Sequence, residues 1–167
     1  MKKILSLTMA LAMIGTALTG CGSKDTATQT PAENTQQTAP VQQEQSQTEK
    51  ALALINTFAT GDTDTAHSLL ADGYIQHNLA YGTGADAFIG SVEYLASADV
   101  KTTVNNIRAF EDGDKVFMQT IYNFAGAGEQ VAFDIFRFDE NGKIAEHWDV
   151  METIADQSTW QNQNGKF

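Results

Sequence analysis

The chain's densest set of groups able to move a proton lies in its last third: Asp134, His147 and Asp149, which one hairpin can bring together. Asn141-Gly142 is a tight-turn dipeptide between two runs rich in β-branched and aromatic residues. With those two residues as the loop, Glu140 faces Lys143 and the remaining pairs follow. Asp134 then lies opposite Asp149, Phe136 opposite His147, and Phe138 opposite Ala145. Side chains alternate along a strand, so these pairs share one face. The other face pairs Phe133 with Val150, Ile135 with Trp148, and Arg137 with Glu146. One face is thus apolar with a cross-strand ion pair, and the other mixes two carboxylates and an imidazole with aromatic rings.

Facing carboxylates repel, so the mixed face needs a reason. If it lines a cavity, a neighbouring donor or cation must relieve the pair, and His147 is in place to do so. A carboxylate–imidazole cluster in an apolar cavity is a means of general acid–base catalysis near neutral pH. If the face is open to water, these are ordinary surface charges, and the hairpin alone leaves both readings open. His77, in Tyr74-Ile75-Gln76-His77-Asn78, is either an exposed loop histidine or a further site residue. His67 lies beside an apolar helical stripe and reads as partly exposed. No HxH, HxxE or HExxH spacing occurs, so no metal is expected. The chain has neither a GxSxG elbow nor a GxGxxG or Walker sequence, so no serine nucleophile or cofactor is expected.

The elements that must position these residues are legible in the periodicity. Ala51, Leu54, Ile55 and Phe58 form one apolar helical stripe ending near Gly61. Asp62 can cap a second short helix carrying Ala66, Leu69 and Leu70. A third, from Ala85 to Ala96, turns Phe88, Ile89, Val92 and Leu95 to one side. Strands are expected near 100–110, 115–124, 129–138 and 143–151, with Asp112-Gly113 marking another hairpin. Helices followed by an antiparallel meander argue an α+β fold, with the helices packed on one face of a curved sheet. The polar tail after Glu152 carries Trp160 and Phe167, which are placed to fold back over a pocket mouth.

Ahead of this domain, residues 1–20 read as an export signal. Met1-Lys2-Lys3 is basic, and Ile4–Ala17 is an uncharged apolar run too short to span a bilayer comfortably. Leu18-Thr19-Gly20-Cys21 resembles the lipobox of bacterial lipoproteins, which implies that Cys21 takes a lipid and holds the protein at the extracytoplasmic side of the cell membrane. Cys21 is the only cysteine, so neither a disulfide nor a cysteine-ligated metal is available to the domain. Residues 21–48 are rich in Gln and Thr and poor in apolar groups, as in a flexible tether. Residues 49–167 suit one domain and carry 7 basic and 18 acidic side chains, so nucleic acid is not an expected partner.

The stretch 74–78 with its following glycine-rich loop, then Asp134-Ile135-Phe136-Arg137-Phe138, then Gly142-Lys143-Ile144-Ala145-Glu146-His147-Trp148-Asp149-Val150, resembles the SnoaL-like proteins of the nuclear-transport-factor-2-like (NTF2-like) superfamily. The resemblance spans nearly all of 49–167. It implies a cone-like α+β barrel, in which about three helices close over a strongly curved antiparallel sheet with a pocket inside. It implies chemistry of the polyketide-cyclase, isomerase or dehydratase kind on a small apolar carbonyl compound, without cofactor. Asp149 and Asp134 are then the candidate acid–base groups, with His147 and His77 positioning the substrate. Tyr74, Asn78 and Phe136 would line the pocket. A non-catalytic small-molecule binder and an envelope protein-interaction domain are the alternatives. The resemblance also implies a homodimer through the outer sheet face, where Phe133, Ile135, Trp148 and Val150 would otherwise form an exposed apolar patch.

Overall fold

The computed structural model describes residues 44–167. The expected export signal, Cys21 and residues 22–43 of the tether lie outside the described residues. The first helix, α1 (Gln47–Thr60), begins inside the stretch expected to be tether. Its start is set by a capping box: Ser46 Oγ accepts from the Glu49 N–H at 3.1 Å, and Glu49 Oε2 accepts from the Ser46 N–H at 2.8 Å. Ala51, Leu54 and Ile55 turn inward, and Gly61 ends the helix in the left-handed region at φ 75°. Helix α2 (Thr63–Leu69) is capped by Asp62, which accepts from the Thr65 N–H at 2.9 Å. Leu70, expected on this helix, instead opens strand β1 (Leu70–Gln76). Helix α3 (Ala85–Ser97) buries Phe88, Ile89, Val92 and Leu95, as its periodicity requires.

Four further strands follow: β2 (Thr103–Asp112), β3 (Lys115–Asn123), β4 (Gln130–Phe138) and β5 (Ile144–Thr153). The sheet order is β1-β5-β4-β3-β2. The last four form the expected antiparallel meander. The sheet as a whole is mixed, however, because β1 runs parallel to β5 along its edge. Hairpin signals report only on consecutive strands, and β1 is separated from its partner by α3 and three strands. The register shifts by one residue at Asn106/Arg108 and at Arg137/Phe138, as a β-bulge makes it do. The helices pack on one face, where Leu54, Ile55, Val92, Val116, Phe136 and Ile144 are fully buried.

The β4–β5 turn departs from the two-residue loop expected for Asn141-Gly142. Gly142 N–H donates to Asp139 O at 3.0 Å, and Asp139 N–H donates to Lys143 O at 2.8 Å. The loop is therefore three residues, a turn followed by Gly142 at φ 68°. The extra residue is absorbed at once, so Phe138 pairs with Ile144 rather than Ala145. From Arg137·Glu146 upward, every pair is as the sequence implied, Asp134·Asp149 included. The C-terminal tail also differs from expectation. Gln119 Nε2 donates to the Lys166 carbonyl at 2.7 Å, and Gln119 shares the outer side of β3 with Phe117. The tail thus lies against the outer face, and Trp160 Nε1 is held locally by Ala155 O.

A Cβ at Gly61 would stand 2.8 Å from that of Ala96, on a backbone that disfavours any side chain. Gly90, inside α3, has open space. Gly61→Ala is expected to destabilise the domain by about 1–3 kcal/mol, and Gly90→Ala to stabilise it by about 0.5–1 kcal/mol. Denaturant midpoints check both; equal effects would refute the assigned roles.

Candidate active site

Between α1, α3 and the inner face of the sheet lies a cavity of about 640 Å³. Its walls are mainly aromatic and aliphatic, with Phe58, Phe88, Phe124 and Phe136 among them. Asp134, His147 and Asp149 enter it from β4 and β5, Tyr74 and Gln76 from β1, and Tyr122 from β3. Strand alternation sends these side chains inward: Ala132, Asp134 and Phe136 are buried on β4, while Phe133 between them is exposed.

The facing carboxylates are relieved by neutral donors and one imidazole. Asp134 is buried; its Oδ2 accepts from the Tyr122 hydroxyl at 3.0 Å, and its Oδ1 lies 3.3 Å from His147 Nε2. The other ring nitrogen of His147, Nδ1, lies 3.1 Å from Gln76 Oε1. Asp149 takes the Asn78 amide on both oxygens, at 2.7 and 2.9 Å. That amide is oriented by the Ala80 N–H, which donates to Asn78 Oδ1 at 2.9 Å. Burial raises the Tyr74 hydroxyl above the ordinary phenol range, and the charges of Asp149 and Asp134 raise it further. Tyr122 is raised in the same way, chiefly by burial and then by Asp134. Both tyrosines are therefore hydrogen-bond donors at neutral pH.

The structure brings together most of the residues expected at the site. Asp134, His147, Asp149, Tyr74 and Phe136 all line the cavity. Asn78 acts on it from behind, through the Asp149 carboxylate. His77 does not belong to it. Gln76 points inward on β1, so its neighbour points outward, and His77 stacks on Trp148 with ring centroids 4.5 Å apart. Its Nε2 lies 3.0 Å from Glu146 Oε2, and Arg137 pairs with the other oxygen of that carboxylate. Two cavity residues were not singled out: Tyr122 carries no motif, and Gln76 sits unremarked within the 74–78 stretch; the two-residue period of β1 and β3 is the signal that points both inward.

Asp134, His147 and Asp149 also offer one donor atom each within 4.8 Å of one another, a grouping that short-range ligand spacing could not reveal because it spans two strands. All three are already engaged, by Tyr122, Gln76 and Asn78, so holding a cation would mean exchanging those hydrogen bonds for metal bonds. Among the described residues, no Lys or Arg lines the cavity. What the arrangement supplies directly is a carboxylate, an imidazole and a phenol around an apolar space.

An α+β cone enclosing a small-molecule cavity is the class that this fold and site define. A family model of the SnoaL-like domain matches residues 51–147, and the chain belongs to that family. Among curated proteins, none matches the chain. Solved structures share the fold. An NTF2-like protein of unknown function from Cytophaga hutchinsonii superposes with a TM-score of 0.57 at 15% identity, covering 66% of this chain and 94% of its own. IdmH of Streptomyces antibioticus, a proposed polyketide cyclase, gives 0.52 at 19%, covering 65% and 93%. An LEH-like epoxide hydrolase of M. tuberculosis gives 0.54 at 18%, covering 62% and 80%.

On the outer face, Glu146 is held below the ordinary glutamate range, first by its hydrogen bond with His77 and then by Arg137. Its folded value lies below its unfolded one. The cluster thus adds stability above the unfolded value, and loses it as pH falls through the folded one. Glu146→Gln is expected to lower Tm at neutral pH and to flatten its fall on acidification. A thermal melt series from neutral to acidic pH reads both, and parallel curves for variant and wild type would contradict the assignment.

Proposed function

We propose that the cavity binds a small, largely apolar carbonyl compound and that Asp149 removes a proton from the carbon next to its carbonyl. The observation that carries this reading is a carboxylate, held by Asn78, inside a cavity whose remaining walls are mostly hydrocarbon. A carboxylate so placed is within reach of a substrate carbon bound among the hydrocarbon walls, as a general base must be. Tyr74 donates to the carbonyl oxygen as negative charge develops on it. His147, hydrogen-bonded to Asp134, returns a proton to the product. The enolate so formed is the common intermediate of isomerisation, aldol closure and dehydration, and no cofactor is needed to reach it. With two aspartates and no Lys or Arg in the lining, the cavity disfavours an anionic substrate.

The reaction is tested without knowing the product, by following hydrogen–deuterium exchange at the α-carbons of cyclohexanone in D₂O by NMR. Wild-type protein is expected to accelerate exchange, and Asp149→Asn to lose about 100-fold or more of that acceleration with its Tm retained. Exchange in Asp149→Asn equal to wild type would overturn the assignment. The apolar lining also suits a non-catalytic binder; that reading expects saturable cyclohexanone binding, undiminished in Asp149→Asn, and no exchange.

We further propose that the outer sheet face forms a homodimer and that the domain is presented at a membrane on a lipid carried by Cys21. The lipid reading rests on the lipobox-like residues alone. The dimer reading is supported by an exposed apolar strip in which Phe133 is 55% and Val150 73% exposed. A partner protein on the same strip is the competing interpretation. Sedimentation should show a dimer for wild type and a folded monomer for Phe133→Glu combined with Val150→Glu. A wild-type monomer would exclude the dimer.

A further inference from the structure

We infer that Gln76 is a positioning residue: its single carboxamide decides which nitrogen of His147 carries a proton and which way the Tyr74 hydroxyl points. This rests on the acid–base reading of the cavity and names the residue that prepares its two proton-donating groups.

The orientation of a glutamine amide is ordinarily ambiguous, because oxygen and nitrogen look alike. Here the backbone settles it. The Asn78 N–H lies 2.9 Å from Gln76 Oε1 and can only donate, so the amide oxygen must face it. The same oxygen lies 3.1 Å from His147 Nδ1. An amide oxygen cannot donate, so Nδ1 carries a hydrogen. His147 then presents Nε2 to Asp134 Oδ1 at 3.3 Å. A proton placed in this contact joins Nε2 to the carboxylate, which makes the Asp134–His147 pair the donor that the acid–base reading needs beside Asp149. Tyr122 saturates the other oxygen of Asp134, at 3.0 Å, and adds no further base.

The amide's nitrogen has the complementary effect. Gln76 Nε2 donates to the Tyr74 oxygen at 3.3 Å. With one lone pair of Tyr74 so engaged, its hydroxyl hydrogen points away from Gln76 and is free for a ligand in the cavity that Tyr74 lines. β1 is built to hold Gln76 in this position. Gln76 pairs with His147 in the parallel ladder, and the His77 N–H donates to His147 O at 2.9 Å. The Gln76 N–H donates to Thr83 Oγ1 at 3.2 Å. One side chain, pinned at its oxygen by the backbone, thus directs a histidine and a tyrosine on opposite sides of itself.

The test reads the ring nitrogens directly, by ¹⁵N NMR of the full chain labelled at its 3 histidines. In the wild type, neutral His147 is expected to carry its hydrogen on Nδ1. In Gln76→Leu the acceptor is gone, and on deprotonation the remaining hydrogen should move to Nε2, where Asp134 accepts it. Gln76→Glu keeps an acceptor at the same place and should restore the Nδ1 hydrogen. A role confined to stability would lower Tm without moving this proton. A wild-type spectrum with a bare Nδ1, or an unchanged Nδ1 hydrogen in folded Gln76→Leu, would overturn the inference. Should Gln76→Leu fail to fold, the wild-type spectrum and Gln76→Glu still decide it. No substrate is involved, so the two claims fail separately: a bare Nδ1 removes the role of Gln76 and leaves the exchange result standing. Absent exchange with a protonated Nδ1 does the reverse.

Discussion

Asp134 and Asp149 face each other across the β4–β5 ladder, on the side covered by helices. Like charges in that relation destabilise a sheet, and taking them from water makes matters worse. Much of the inner architecture can be understood as the answer to this pairing. Tyr122 reaches Asp134 from β3, His147 reaches it from β5, and Asn78 closes over Asp149 from the end of β1. Each relieving group comes from a different segment, so the carboxylates tie together parts of the chain that hydrophobic packing alone would hold less specifically. Removing one donor leaves a buried acceptor without a partner, at about 1–3 kcal/mol.

The same alternation that gathers these groups inside sorts a second set to the outside. Glu146, Trp148 and Val150 fall between the inward residues of β5, and His77 falls after inward Gln76 on β1. The outer network of His77, Glu146 and Arg137, with His77 stacked on Trp148, ties edge strand β1 to β5 and β4. It balances charge against charge in partial contact with water. The inner network instead sets carboxylates against neutral donors and a single imidazole. The two networks thus lie on opposite faces of the same strands.

Much of this was legible in the sequence, for local reasons. The three helices follow from 3.6-residue apolar spacing with Asp62 and Gly61 as punctuation, and the pairing of Asp134 with Asp149 follows from a glycine turn and a period of two. The turn itself was misjudged by one residue, because Asn141-Gly142 suits both a two-residue loop and a turn followed by a left-handed glycine. The pairing survived because the bulge absorbs the difference before Arg137. His77 was misplaced for a longer-range reason. Which way a strand residue points depends on its partner, and the partner of β1 lies beyond α3 and three strands. Of the 74–78 stretch that the resemblance singles out, Tyr74 lines the cavity and Asn78 reaches it through Asp149. Gln76, between them, bonds both Tyr74 and His147, and nothing in its residue type announced this.

The central claim is that the cavity holds a ligand oxygen at Tyr74 with the neighbouring carbon at Asp149. The most direct measurement is a crystal structure of the protein with phenol, a stable mimic of an enol. The acid–base reading predicts that phenol lies in the cavity with its oxygen within hydrogen-bond distance of the Tyr74 hydroxyl, the carbon next to that oxygen beside the Asp149 carboxylate, and its ring against the surrounding aromatic side chains. Phenol bound only on the outer face, or seated in the cavity with its oxygen turned away from Tyr74, would contradict it.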